Sequence, residues 1–307
     1  MPLHQSSGNW RLGLALSLVA VFLWGILPLA LAVTLQALDS YTVTWFRFLG
    51  SFVLLAVYLA VRGQLPTPDK LRLTPLKLLV IAILGLAINY LLFVQGLAHT
   101  SPSNAEILIQ LAPVLMSMGA LVIFKERYTL RQWVGLGVLT LGFALFFHEQ
   151  LKALITAPTT YLVGSGLLVV ASFSWAAYGL AQKQLLLILP SSNIMLLIYG
   201  SCAILFSPFA KPLLILTLSP IQLGMLIFCA LNTLIAYGAF AEALAHWEAS
   251  KVSAVLTLAP IITLISMWAV SSFMPNFIAP EHITALGVVG AVFVVGGSMT
   301  IALGKKK

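Results

Sequence analysis

The sequence predicts an all-α integral membrane protein with ten transmembrane helices, built as two inverted copies of a five-helix unit. Three observations predict this class. The composition is too apolar for a soluble surface, the apolar runs recur at near-regular spacing, and the chain repeats itself internally. Of 307 residues, 61% are hydrophobic and 8% are charged. A soluble domain carries roughly 25% charged residues, because its surface must face water. Sixteen Lys and Arg with eight Asp and Glu are too few to coat a soluble body of this size, and no stretch is polar enough for a second, soluble domain.

A membrane span needs about 20 apolar residues. The runs that qualify are Leu12–Val33, Tyr41–Val61, Leu76–Leu97, Asn104–Phe124, Gln132–Phe147, Tyr161–Ala181, Ile194–Ala210, Ile221–Ala241, Val252–Phe273 and Ile283–Leu303. The fifth and seventh are short. Helices are expected because an open sheet edge in lipid would leave backbone groups unpaired, and the runs lack the alternating polarity of barrel strands. The first run is too long for a cleavable signal peptide and ends in no small-x-small cleavage site.

The repeat carries the most information. At an offset of 147 residues, Ile88–Pro113 matches Ile235–Pro260 without a gap. The anchors Leu-Ala-His (Leu97 to His99, Leu244 to His246) and Leu-Ala-Pro (Leu111 to Pro113, Leu258 to Pro260) hold the same spacing in both. An offset of 151 pairs Gly13, Leu16, Ala20 and Trp24 with Gly164, Leu167, Ala171 and Trp175. The expected units are residues 1–155 and 156–307. Five helices per unit is odd, so the second copy must enter the membrane from the opposite face. That arrangement gives a pseudo-two-fold axis in the membrane plane and a solute site near mid-membrane.

Basic residues set the expected orientation, because cytoplasmic loops collect Lys and Arg. With the N-terminus inside, the inner segments hold Arg11, Arg62, Lys70, Arg72, Lys77, Lys125, Arg127, Arg131, Lys183, Lys251, Lys305, Lys306 and Lys307. The outer loops hold only Lys152 and Lys211, while Arg47 falls within a span. Both termini are therefore expected in the cytoplasm of a cell membrane. The net charge of +8 reads as topology rather than nucleic-acid binding, since the charges are scattered over short loops.

The segment from Gly96 to Phe143, GLAHTSPSNAEILIQLAPVLMSMGALVIFKERYTLRQWVGLGVLTLGF, resembles the EamA domain of the drug/metabolite transporter superfamily. The resemblance rests on the small-residue start of the fourth helix, Pro113, the Glu126-Arg127-Tyr128-Thr129 turn and the Gly-rich fifth helix. Trp24-Gly25 and Arg47 also look like that family. The second copy departs from it, because the loop Met274–Glu281 is longer and has no Glu-Arg turn. The resemblance implies a ten-helix secondary carrier with cytoplasmic termini, often an exporter of amino acids or other metabolites.

Polar residues inside the spans are the candidates for a solute pathway. Arg47 lies about two turns into the second helix, where a charge costs roughly 2.5–3.5 kcal/mol on insertion scales. It is expected to neutralise an anionic group on the solute or a gate carboxylate; snorkelling or a structural ion pair is the competing role. Glu106, near the start of the fourth helix, is placed to meet it. The competing role for Glu106 is a capping box, Ser103-Asn104-Ala105-Glu106. Gln110 and its repeat mate Thr257 each precede a helix-breaking proline, Pro113 and Pro260. Each proline frees the carbonyl four residues earlier, which belongs to Ile109 or Leu256. Asn89, Tyr90, Tyr237 and Asn232 add pathway candidates, with helix–helix bonding as the alternative. Trp24 and Trp175 are mid-span and symmetry-related. With Tyr178 and Tyr199 they form either an aromatic wall or plain packing.

His4, His99, His148, His246 and His282 fall at termini or in loops. Histidine titrates near neutral pH, so His99 and His246, with Glu242, are candidate proton sites. Cys202 and Cys229 sit in apolar runs as small hydrophobes without metal-ligand spacing. No phosphate loop, HExxH run or GxSxG elbow is present, and Asp39 and Asp69 lie in loops rather than as an intramembrane pair. No enzyme activity, cofactor or metal is expected. The expected partners are a small solute and the lipid bilayer, with proton coupling one option and a monomer or weak homodimer as the assembly. Two readings compete with metabolite export: a nucleotide-sugar or sugar-phosphate carrier, with Lys183 as a second cavity cation, and a scaffold or lipid scramblase without a central site.

Overall fold

A computed structural model describes residues 6–148, 152, 159–273 and 284–302. The helices are α1 (Trp10–Thr34), α2 (Ser40–Val61), α3 (Pro68–Leu73), α4 (Leu76–His99), α5 (Pro102–Ile109), α6 (Leu111–Ile123), α7 (Leu130–Phe146), α8 (Thr159–Leu185), α9 (Ser191–Phe206), α10 (Pro220–His246), α11 (Ala249–Leu256), α12 (Ala259–Phe273) and α13 (Ala285–Ala302). Several starts are fixed by side chains that satisfy the orphan N–H groups of a first turn. The Asp39 carboxylate accepts from the Tyr41 and Thr42 amides, and Thr129 with Gln132 and Ser219 with Gln222 form capping boxes.

Among the described residues nine stretches are long and apolar enough to cross a membrane; α5–α6 and α11–α12 each count as one broken crossing. The short apolar α7, 17 residues, reaches roughly 25 Å at 1.5 Å per residue, and brings the crossings to ten. Large apolar side chains such as Val122, Leu130 and Val292 point outward, exposed by 79%, 81% and 63%, as a lipid-facing surface requires. The short helix α3 was not expected. The loop Met274–Glu281, His4, His282, the ends of the tenth expected span and the C-terminal lysines lie outside the described residues.

Contacts sort the helix ends onto two faces. On one, the Ser7 amide donates to the Ala245 carbonyl, the Gln132 amide side chain donates to the Ile301 carbonyl, and Lys183 pairs with Glu126. This terminal face carries the start of α1 and the end of α13. On the far face, the Lys211 amide donates to the Thr42 hydroxyl, Asn104 donates to Ser165, and Gly164 packs against His99 and Thr100. Helix α1 starts at the terminal face and its mate α8 at the far face, so the two copies are inverted. The pairings obey the same two-fold: α4 packs on α8 as α1 packs on α10, α7 packs on its own mate α13, and α2 on its mate α9.

The expected continuous fourth and ninth spans are each two helices. Helix α5 ends at Ile109 and α6 begins at Leu111, while α11 ends at Leu256 and α12 begins at Ala259. The breaks fall a few residues ahead of Pro113 and Pro260, because each ring lacks an N–H and crowds the turn before it. Helix α5 also starts earlier than the expected capping box. Pro102 takes the first position and the Ser101 hydroxyl accepts from the Asn104 amide, so Ser101 is the cap and Glu106 lies inside the helix.

Helices α7 and α13 touch backbone to backbone. A Cβ added at Gly142 would lie 2.6 Å from the Val294 nitrogen, and one at Gly297 would lie 2.6 Å from the Leu139 nitrogen; at Gly137 it would meet nothing within 4 Å. Gly142→Ala is therefore expected to destabilise the protein by about 1–3 kcal/mol through overpacking, while Gly137→Ala is neutral. Unfolding midpoints in detergent measure both, and equal effects would contradict the close packing.

Candidate functional site

A cavity of about 80 Å³ lies where the two copies meet, between helices of a bundle, where small-molecule sites preferentially form. Its wall is Trp24 and Leu27 of α1, Arg47 of α2, Asn89, Tyr90 and Phe93 of α4, Glu106 and Ile109 of α5, Gln110, and Ala112 and Pro113 of α6. The second copy adds Trp175, Tyr237, Leu256 and Ala259. These residues occupy the middle of the bundle and the half toward the far face.

Apolar helix faces hold one guanidinium here by giving it a partner from each copy. Arg47 is 2% exposed. Its Nε donates to the Thr233 hydroxyl at 3.0 Å, and its guanidinium carbon lies 4.3 Å from the centre of the Tyr90 ring. A desolvated cation over an aromatic face gains about 2 kcal/mol. Thr233 is itself fixed, donating to the Cys229 carbonyl while its own carbonyl accepts from the Tyr199 hydroxyl.

Glu106 is also buried, at 4% exposure, and lines the same cavity. Among the described residues no cation lies within ion-pair distance of it, so Arg47 and Glu106 share the cavity without neutralising each other. The Trp24 indole Nε1 and the Gln110 Oε1 have no hydrogen-bond partner among the described residues. The cavity thus offers a cation, an anion, an N–H donor and an oxygen acceptor in apolar surroundings.

Aromatic rings floor it on the side toward the terminal face. Trp24 sits 5.9 Å from Trp175, 4.9 Å from Tyr237 and 5.6 Å from Phe240, in edge-on or tilted contacts. Tyr178 packs behind against Phe240. Broken helices form another wall. Beside the first break the Ser172 hydroxyl donates to the Leu108 carbonyl. At the second break Thr257 and Ser298 both donate to the Ala254 carbonyl. Ile109 and Leu256, four residues before each proline, both line the cavity.

Of the residues singled out from sequence, Trp24, Arg47, Asn89, Tyr90, Glu106, Gln110, Pro113, Trp175 and Tyr237 meet at this cavity. Tyr178, Tyr199, Asn232, Thr257 and Pro260 do not line it. Tyr178 donates to the Met195 sulfur, Tyr199 braces Thr233, Asn232 donates to the Leu23 carbonyl, and Thr257 bonds within its own helix end. Asn89 lines the cavity yet donates to the Ala171 carbonyl, joining α4 to α8. Lys183 is not a cavity cation; it pairs with Glu126 at the terminal face. Sequence reasoning missed Thr233, which no motif marks, and Phe93, which the repeat match with Phe240 did signal. His246 joins the Ser7 hydroxyl to Glu242, which accepts from Ser191. Among the described residues no cluster of His, Cys, Asp and Glu has the arrangement to hold a metal.

The family model described as the EamA-like transporter family matches residues 11–148 and 162–303. An inner membrane transporter of Escherichia coli, YhbE, is 40% identical over 297 residues, covering 96% of this chain and 92% of its own. A transporter of Haemophilus influenzae is 38% identical over 296 residues, covering 96% of each chain. A solved crystal structure superposes with a TM-score of 0.70 at 18% identity, covering 95% of this chain and 96% of that one; at that identity it speaks for the fold alone.

A buried carboxylate without a counter-charge costs stability. Glu106→Gln is expected to leave the unfolding midpoint unchanged or raise it by about 1 kcal/mol equivalent, while altering solute affinity. A large fall in the midpoint would mean that Glu106 holds the fold rather than the solute.

Proposed function

We propose that this chain, which belongs to the EamA-like transporter family, exports amino acids or related small metabolites by alternating access. The observation that carries the reading is the pairing of Arg47 and Glu106 in one cavity at the seam of the inverted copies. A zwitterion meets both needs at once: its carboxylate faces the guanidinium and its ammonium faces the carboxylate, in a low-dielectric site where each contact is strong. The aromatic floor gives a side chain an apolar surface. Inverted copies supply the two states, since each copy can take the other's conformation.

Charge placement supports cytoplasmic termini, which puts the terminal face inside and the cavity in the outward half. The site is a poorer match for a nucleotide sugar or sugar phosphate. Such an anion wants several cations, and the cavity pairs its guanidinium with a carboxylate, while Lys183 is engaged elsewhere. A scaffold or scramblase needs no buried charges at its centre.

Solute flux in proteoliposomes tests the reading, with pools of labelled amino acids and, separately, nucleotide sugars, with and without a pH gradient. Saturable amino-acid flux is expected, with kcat/KM reduced at least about 30-fold by Arg47→Gln. Flux confined to the phosphorylated pool, or amino-acid flux indifferent to that substitution, would refute it.

A further inference from the structure

The terminal half of the protein contains a second set of buried polar groups that the cavity does not use. Glu126 lies in the turn between α6 and α7. Its carboxylate pairs with Lys183 of α8 at 2.8 Å, both groups being nearly fully buried. The same carboxylate accepts from the Ala249 and Ser250 amides and from the Ser250 hydroxyl. Glu126 of the first copy thereby caps α11 of the second, where a negative charge meets the free N–H groups of a first turn.

The local backbone is bent to make this contact. Lys125, immediately before Glu126, has φ of +52°, the one positive value at a non-glycine residue among the described residues. Such a conformation persists only where the surroundings impose it. At the start of α5, the mate of α11, the Ser101 hydroxyl accepts from the Asn104 amide.

Between this ion pair and the cavity lie polar groups that are buried and unsatisfied. Ser253 sits one turn beyond Ser250 and one turn before Leu256 of the cavity wall. It is fully buried, and its hydroxyl has no partner among the described residues. Gln182, next to Lys183, is equally buried, with neither amide atom bonded. Buried polar atoms without partners are rare and call for a reason. A reason is available if water reaches them in another state of the carrier.

We propose that Glu126, Lys183 and the start of α11 form an ionic gate at the terminal face. On this proposal Ser253 and Gln182 belong to the half of the solute path that the gate closes. The gate rests on the alternating-access reading above but not on the identity of the solute. Loss of the charge frees α11 to move from α6, and the equilibrium shifts toward the state open at the terminal face.

Cysteine accessibility tests this in the full-length carrier, reconstituted with known sidedness and carrying Cys202→Ala and Cys229→Ala. The probe is a membrane-impermeant cationic methanethiosulfonate, added to one face at a time. Ser253→Cys is expected to be protected when Glu126 is present. With Glu126→Gln it should be labelled about tenfold faster or more from the terminal face alone, and Lys183→Met gives the same result by a second route should the first variant fold poorly. Gln110→Cys should lose labelling from the far face in parallel. Unchanged protection of Ser253→Cys in both variants, with Gln110→Cys still labelled from the far face, would overturn the gate and leave the carrier reading intact. Labelling of Ser253→Cys from both faces at once would also overturn it, as a leak rather than a gate. Gln110→Cys unreactive from either face would instead overturn the cavity on which the transport reading stands.

Discussion

A helix inside a membrane can lose its own hydrogen bonds only where other protein groups replace them. This constraint governs the middle of the protein. Pro113 and Pro260 interrupt two spans at mid-membrane, and carbonyls beside the breaks, at Leu108 and Ala254, accept from Ser172, Thr257 and Ser298. Two of those three hydroxyls come from other helices, so each break is tolerable only when the bundle is assembled around it. The cavity follows, because an interrupted helix leaves space where its turns would have continued. Ile109 and Leu256, at the two interruptions, form part of its wall.

The charged groups obey a related rule. A charge is tolerated in lipid when partners surround it, and here two buried charges draw partners from the other copy. Arg47 leans on Thr233, Glu126 on Lys183 and Ser250. Neither of these two charges is held by groups of its own copy alone. The duplication therefore does more than double the helix count, since each copy completes the electrostatics of the other. Helices α7 and α13, sealed by glycine contacts, stand apart from this exchange and carry none of the cavity wall.

Much of this architecture is legible in the sequence because lipid leaves few choices. Apolar runs become helices, and a repeat with five runs must invert. Leu-Ala-Pro at matched spacing marks both helix breaks. Side-chain partnership was harder to read. Asn232 and Asn89 looked alike as intramembrane amides, yet Asn232 is spent on the Leu23 carbonyl away from the cavity. Lys183 looked like a cavity cation because nothing in its own segment reveals that Glu126, 57 residues earlier, meets it. Of the two roles Glu106 has in the sequence, a capping box and a pathway carboxylate, the box is ruled out because the helix starts two residues earlier, at Pro102. Thr233 was invisible, since a threonine in an apolar run carries no signal until its neighbour is known. Local patterns fix the helices, whereas contacts between distant helices depend on rotation about each axis, which apolar all-round helices do not encode.

The unsatisfied Trp24 indole and Gln110 carbonyl have a practical consequence. Polar groups that lack protein partners are a weak point in the folded state, and a molecule that satisfies them adds its binding energy to the stability of the whole bundle. The carrier's own melting temperature is then a readout of occupancy. A library of metabolites can be ranked by the heat each allows the purified protein to withstand, with no transport assay and no prior guess at the cargo.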